Sequence, residues 1–585
     1  MAWSQSGSMS KRNASSNIKR GDIKMCGING ITVPKAEERV KAMNLVTQRR
    51  GPEGSNVWSN DKVTFGHNLL ATMGQIEDST QPTHYLDSSL VFNGAIFNWK
   101  ELDEWQSKVD TEVLIKGLHH YGIDFLDKCE GMWAFAWQKD DNLVLCRDPF
   151  GIKPLMYRET NEGIIFSSSP HALENSNNKL NLFAFGMFRD FGYVPGPMTL
   201  IDGIFKLVPG EVLIYDHNTK KSTSKSLWKQ KFETSEYTVE NFQNKLEKAV
   251  SLSSICSRNR GVFLSGGLDS TSVMHYLGPR DSYKTFTTRY SPSDDALYNN
   301  DADCALMLAD EYGLTHTELK VTSDSFVNHF EESIEALEMP TYNKNNPSYL
   351  MINKVMRNKD VIITYSGDGG DEMYTGYVTH SRYKRDEDVF KAHHEAISWK
   401  RAKRVQVASA RDEYSGTKGY CEYMRDWFPT HMFTDDFLNN CLFVEMLTRV
   451  SEDFLARNDR FGAYFGMEGR FPLLNKEYYN YIMGIPSEVK MQQPKDKRWN
   501  DGEYKYLARE GLKGVLPEYI TGKIKTGWSI PDAQWKRTEG VRKAALSKVG
   551  NSIDNLVNWN ANIGGKTVYS VGYFKEWARR YNVSL

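Results

Sequence analysis

The chain has 585 residues, with 73 Lys and Arg against 74 Asp and Glu and a formal net charge of −1. That length exceeds a single hydrophobic core and predicts several domains, while the balanced charge gives no footprint for nucleic acid or a membrane surface. No apolar run nears the roughly 20 residues of a membrane-spanning helix, and the seven cysteines are scattered, odd in number and without a C-x-x-C pair. A disulfide framework and a zinc site are therefore excluded, and the expected setting is a reducing cytoplasm.

Residues 1–25 are rich in Ser, Asn and basic residues and lack the apolar stretch of a secretory signal. They read as a disordered extension, a propeptide or a tag. From Cys26 to about residue 215 the chain reads as many short strands. "KVTFGHNLLAT", "SLVFNGAIFN", "GMWAFAWQK" and "NLVLCRDPFG" are apolar, aromatic and β-branched runs separated by turn residues. Helical spacing interrupts them near 36–48 and 111–121, which predicts stacked sheets flanked by helices. The polar, Lys/Ser/Thr-rich segment 216–240 reads as a linker. From 241 to 585 the rhythm changes to strands alternating with helices, the signature of a parallel α/β sheet, and the part after residue 378 reads as mostly helical.

Two loops carry the strongest chemical signal. In "GVFLSGGLDSTSV", residues 261–273, a strand enters a Ser/Gly turn and a helix starts at once. Glycines let the backbone turn N–H groups toward an anion, and the new helix adds its positive end. No G-K-[ST] follows, so this is not a Walker loop. In "VIITYSGDGGDEMYTGY", residues 361–377, a second strand ends in glycines with Asp368, Asp371 and Glu372. Strand ends of a parallel sheet share one edge, so both loops are expected at one site, with Asp269 and Asp371 suited to a metal-bound triphosphate. Lys525, in "GKIKTGWSIP", is a weaker candidate for neutralising pyrophosphate.

These pieces resemble one family. "CGINGI" at 26–31, "RRGPEG" at 49–54, "NGAIFN" at 93–98, "DTEVL" at 110–114, "RDPFGIKPL" at 147–155, "SGGLDS" at 265–270, "SGDGGDE" at 366–372 and "GMEGRFPLLN" at 466–475 follow the order of the glutamine-hydrolysing asparagine synthetases. The resemblance implies an N-terminal αββα sandwich of the N-terminal-nucleophile hydrolase type, a class II glutamine amidotransferase, followed by a P-P-loop ATP pyrophosphatase domain. In it, Cys26 attacks glutamine with its own α-amine as base, and Asn98 and the Gly94 N–H form the oxyanion hole. Leu69, Asn93, Gly94, Ala95 and Asp110 occupy the glutamine-binding positions. Phe263, Ser265, Gly267, Asp269, Ser270, Thr288, Ser366, Gly367 and Lys525 occupy those for ATP, Asp269 and Asp371 those for Mg²⁺, and Asp368 lies near the acyl-adenylate. The implied substrates are glutamine, aspartate and ATP. Ammonia passes through the interior to the acyl carbon, and a homodimer is left open as the assembly.

Three departures stand out. The family usually has Arg at the position of Leu69, to pair with the glutamine α-carboxylate, and Leu cannot make that bidentate pair. It usually has Glu at the position of Ala95, and asparagine synthetases proper tend to have Glu where Asp368 stands. Alternative readings are therefore a ligase for another carboxylic acid, an ammonia-dependent synthetase with a degenerate glutaminase half, and a catalytically silent binding protein. A further problem is Cys26 itself. Its amine can act as base only if residue 26 is the first residue of the active protein, and Met25 directly precedes it.

Overall fold

The computed structural model describes residues 26–51, 53–174, 178–291, 298–341, 343–377, 379–380, 427–492, 504–523, 530–531 and 565–584. Among them no helix is long and apolar enough to cross a membrane.

The first half is built on two six-stranded sheets, β10-β8-β9-β1-β3-β2 and β12-β11-β7-β6-β5-β4. The first holds β1 (Gly27–Ile31), β2 (Gly54–Ser59), β3 (Thr64–Leu69), β8 (Met156–Thr160), β9 (Gly163–Ser167) and β10 (Phe205–Lys206). The second holds β4 (Thr83–Tyr85), β5 (Ser88–Ile96), β6 (Gly131–Lys139), β7 (Asn142–Arg147), β11 (Glu211–Asp216) and β12 (Lys221–Ser226). Every pairing within them is antiparallel.

The runs that looked continuously apolar are buried on both faces. Along β6, Ala134 and Ala136 face the other sheet beside Ile28, Phe65 and Phe166, whereas Trp133, Phe135 and Trp137 face helix α2 (Asp110–Tyr121). Small residues inward and large ones outward let the sheets approach closely. Helix α1 (Glu37–Val46) covers the outside of the first sheet, which completes the expected layering. The segment expected to be a linker starts inside this architecture. Strand β12 pairs along its whole length with β11, so the connection is shorter than 216–240. Its Lys, Ser and Thr residues fit an exposed edge strand, where charge discourages further pairing.

The second half is a parallel five-stranded sheet, β15-β14-β13-β16-β17, made of β13 (Arg260–Phe263), β14 (Tyr283–Ser291), β15 (His316–Thr322), β16 (Ile363–Tyr365) and β17 (Glu468–Arg470). Helices α3 (Val239–Ser253), α4 (Leu268–Tyr276) and α5 (Asn300–Tyr312) bury one face through Phe242, Leu246, Val273 and Leu308. Helix α6 (Asn346–Asn358) buries the other through Ile352 and Met356 against Phe286 and Val361. Strand β17 lies within the region expected to be mostly helical. Its three residues are too few to leave a periodic signal.

The halves are joined by buried polar contacts. The Glu130 carboxylate accepts from Asn475 Nδ2 at 2.8 Å and Lys476 N at 2.9 Å, at the start of α8 (Lys476–Gly484) in the second half. Arg50 also pairs across this boundary with Asp459 of α7 (Ala456–Tyr464) at 2.7 Å, and Arg147 pairs with Glu452, in the π-helical segment Met446–Leu455 before α7, at 3.2 Å. Helix α9 (Gly565–Arg580) leads to Ser584, whose carbonyl accepts from Leu180 N at 2.9 Å.

Candidate active sites

Strands β13 and β16 are direct neighbours, so the loops that follow them leave the same sheet edge side by side. The first loop is knitted by its own serines. Ser265 Oγ and Ser270 Oγ lie 2.9 Å apart, and Gly267 N donates to Ser265 Oγ at 3.3 Å. Gly267 precedes α4 with no side-chain cap, which leaves the first turn's N–H groups for an anion. Two glycines are required by geometry. Gly266 has φ +69° and a Cβ there would lie 2.5 Å from Asp301 O. A Cβ on Gly367 would lie 2.7 Å from both Asp269 C and Ser270 N, so the second loop rests on the backbone of the first.

A cavity of about 520 Å³ opens between them. Phe263, Ser265, Gly267, Asp269 and Ser270 line it from the first loop, Thr288 from β14, and Ser366, Gly367, Asp368 and Asp371 from the second. All the sequence candidates for this site within the described residues are thus brought together. Lys525 lies outside the described residues.

The cavity also holds basic groups that the sequence motifs did not flag. Lys505 bonds Asp269 and lies 2.7 Å from Asp371 Oδ1, so both candidate metal carboxylates converge on one ammonium. Burial opposes that charge, but the two carboxylates outweigh it and hold the Lys505 pKa above its ordinary value. Lys523 Nζ lies 2.6 Å from Asp301 Oδ1 and donates to Gly266 O at 3.3 Å. Arg457 lies near the rings of Tyr349 and Phe454, both on the wall. Its Nε is buried without a hydrogen-bond partner among the described residues. Single Lys and Arg residues in helical or turn segments leave no motif, so only the fold reveals them.

Asp368 is half-buried on this wall. Its Oδ2 accepts from Ser366 Oγ at 2.8 Å and Asn458 Nδ2 at 3.4 Å, and burial raises its pKa. Phe263 stacks on Tyr349 with centroids 5.1 Å apart, an apolar surface suited to a base or ring.

The second candidate site lies at the start of β1. Cys26 is half-buried; its Sγ donates to Leu70 O at 3.3 Å and accepts from Leu70 N at 3.2 Å. Burial pushes its thiol up to about 12, against the opposing Leu70 N–H. Asp110, first residue of α2, accepts from Ile96 N at 2.9 Å and Thr111 N at 3.0 Å, and burial raises it to about 7. Asn98 bridges Lys128 O and Glu130 N, each at 2.9 Å. On β5, Asn93 is buried and its Nδ2 has no acceptor among the described residues. A Cβ on the adjacent Gly94 would meet Met132 O at 2.1 Å, so only glycine fits that strand crossing. Ala95 and Leu69 are both buried and apolar, where the resemblance predicts charged side chains.

The asparagine synthase family model matches residues 241–561 and the glutamine amidotransferase domain model residues 25–228. The chain is 25% identical to asparagine synthetase [glutamine-hydrolyzing] 1 of Bacillus subtilis over 88% of each chain. It is 24% identical to asparagine synthetase [glutamine-hydrolyzing] 3 of the same organism over 86% of each. It is also 21% identical to amidase chry2 of Gibberella zeae, over 95% of this chain and 96% of that one. With one model matching more than half of the chain and the other most of the remainder, the chain belongs to the asparagine synthase family.

Proposed function

We propose that the protein is a glutamine-dependent asparagine synthetase acting in the cytoplasm. The observation that carries this reading is the single cavity in which two Gly-rich loops, two convergent carboxylates and unprompted cations meet, beside a half that presents Cys26. In the second half, an oxygen of the acceptor carboxylate attacks the α-phosphorus of ATP and pyrophosphate leaves. The N–H groups at the start of α4, with Lys505 and Lys523, neutralise the leaving group. Asp269 and Asp371 fit Mg²⁺, because both already converge on one cation and such sites pair one or two carboxylates with phosphate oxygens. Bound there, Mg²⁺ would offset the charge of the phosphates. Asp368 takes a proton from ammonia as its nitrogen bonds to the acyl carbon and AMP departs.

In the first half, Cys26 Sγ attacks the glutamine amide carbon, its proton passes by way of the α-amine to the departing ammonia, and water then cleaves the thioester to release glutamate. Asp110 holds the substrate ammonium, Asn93 and Gly94 contact the substrate, and Asn98 with Gly94 N–H steadies the oxyanion. Cys26 must be the first residue of the active protein, because a peptide-bonded amine is no base. Protein starting at Cys26 is expected to hydrolyse glutamine, and the full chain and Cys26→Ala are expected not to.

A second reading is favoured by the aromatic wall of Tyr349, Tyr377 and Phe454 beside Asp368, which also suits a bulkier carboxylic acid than aspartate. Pyrophosphate release measured against a panel of acids decides between them. Stimulation by aspartate above all others supports asparagine synthesis; no stimulation by aspartate sinks it.

A further inference from the structure

The two candidate sites are joined by a short chain of buried polar contacts. Arg50, at the end of the turn Gln48–Arg50 after α1, donates from Nε to the carbonyl of Cys26 at 3.3 Å. Its Nη2 donates to Asp459 Oδ2 at 2.7 Å across the interface. Both side chains are at most 4% exposed. The preceding residue, Asn458, donates to Tyr349 Oη at 2.6 Å and to Asp368 Oδ2 at 3.4 Å, and both of those residues line the ATP-type cavity. Asn458 has little room to turn elsewhere, since a Cβ on Gly469 of β17 would lie 2.4 Å from its Oδ1. Lys153 braces the same point, with Nζ 3.7 Å from both Asp459 Oδ1 and Glu468 Oε2.

We propose that Arg50 and Asp459 are positioning residues that transmit occupancy of the nucleotide cavity to the backbone of Cys26. The geometry has one feature that a mere docking contact lacks. Adjacent residues of one helix, Asn458 and Asp459, hold the two sites from opposite sides. A ligand that shifts Asp368 or Tyr349 pulls on Asn458, and α7 carries the movement to Asp459 and through Arg50 to the Cys26 carbonyl. A charged pair without solvent responds to such movement because no water compensates for lost contact. This inference rests on the reading of the cavity as a nucleotide site.

The test uses the full chain, because thiol reactivity does not require a free amine. Cys26 is alkylated with iodoacetamide and its peptide followed by mass, with and without Mg²⁺ and α,β-methylene-ATP at a concentration shown by calorimetry to saturate. Binding is expected to change the Cys26 alkylation rate by about fivefold, the scale of an ordinary coupling between sites. In Arg50→Lys and Asp459→Asn the ratio falls to near one while nucleotide affinity is retained. Arg147→Lys, which perturbs the other interface pair with Glu452, keeps the wild-type ratio. If one of the two relay variants does not fold, the other decides. The proposal is overturned if wild type shows no change at saturation, if the relay variants keep the ratio, or if Arg147→Lys abolishes it too. Absence of any nucleotide binding would sink the functional reading as well, which separates the two failures.

Discussion

Lys505 Nζ lies 2.7 Å from Asp371 Oδ1 while also bonding Asp269, so one lysine ties together the carboxylates of two loops. A metal held by those carboxylates would have to compete with it. Lys505→Met should lower pyrophosphate release by about 10²-fold or more, the scale for losing one preorganised charge at a reacting centre. In the absence of nucleotide the same variant should bind Mg²⁺ more tightly, because the competing cation is gone. Calorimetric titration with Mg²⁺ alone checks this; unchanged affinity would show that the carboxylates do not take the metal.

Gly367→Ala places a methyl 2.7 Å from the backbone of Asp269 and Ser270. Backbone cannot yield as a flexible side chain can, so the loops must separate. The expected cost is about 1–3 kcal/mol in stability, as for overpacking elsewhere. Nucleotide binding should weaken out of proportion to that cost, because the first loop's N–H groups lose their aim. Thermal unfolding and nucleotide titration on the same sample give both numbers.

Asp110 titrates at about 7, above the ordinary 3.8, because it is buried. A carboxyl raised on folding contributes stability that is fully present below pH 3.8 and is lost as pH rises through about 7. Wild type should therefore lose stability relative to Asp110→Asn over that window, by an amount on the order of 4 kcal/mol at most. Denaturant unfolding at several pH values checks the slope. If Asp110 holds the substrate ammonium, the glutamine KM should rise as pH falls below 7, since only the carboxylate makes that contact.

Glu130 caps α8 from the opposite half, accepting from Asn475 Nδ2, Lys476 N and Glu477 N at 2.8, 2.9 and 3.2 Å. Glu130→Ala should cost about 1–3 kcal/mol, the range for a lost cap that leaves buried donors unpaired. The loss falls on the interface, so the calorimetric unfolding of the variant should broaden or split between the halves. Oxyanion support should suffer less, since Asn98 bonds the Glu130 backbone N–H, which alanine keeps.

Much of this arrangement is legible in the chain. Alternating Ala with Trp and Phe along "GMWAFAWQK" reports a strand buried on both sides, and each Gly-rich turn directly after an apolar strand reports its own position on the sheet edge. What sequence could not supply is chemistry delivered from far away by single residues. Lys505 stands 236 positions from Asp269, and nothing around it is periodic or Gly-rich. Asn98 shows the opposite difficulty. The family resemblance implies an oxyanion-hole role for it, and its side chain staples the backbone at Lys128 and Glu130. A motif names a residue without saying how many duties it carries. Strand β12 was hidden by composition, because an exposed edge strand and a polar linker have the same residues.

The pairing of Leu180 with Ser584, and of Ser584 with Asn178 across 406 positions, sets an order on assembly. That seam cannot close until residue 584 has emerged from the ribosome. The amidotransferase half is complete in sequence long before then, so it must wait with this edge uncovered, in the window when multidomain chains are most prone to misassembly. The seam at Leu180 is thus the last of these contacts between the halves that synthesis can complete, after Arg50 has met Asp459 and Glu130 has met Lys476.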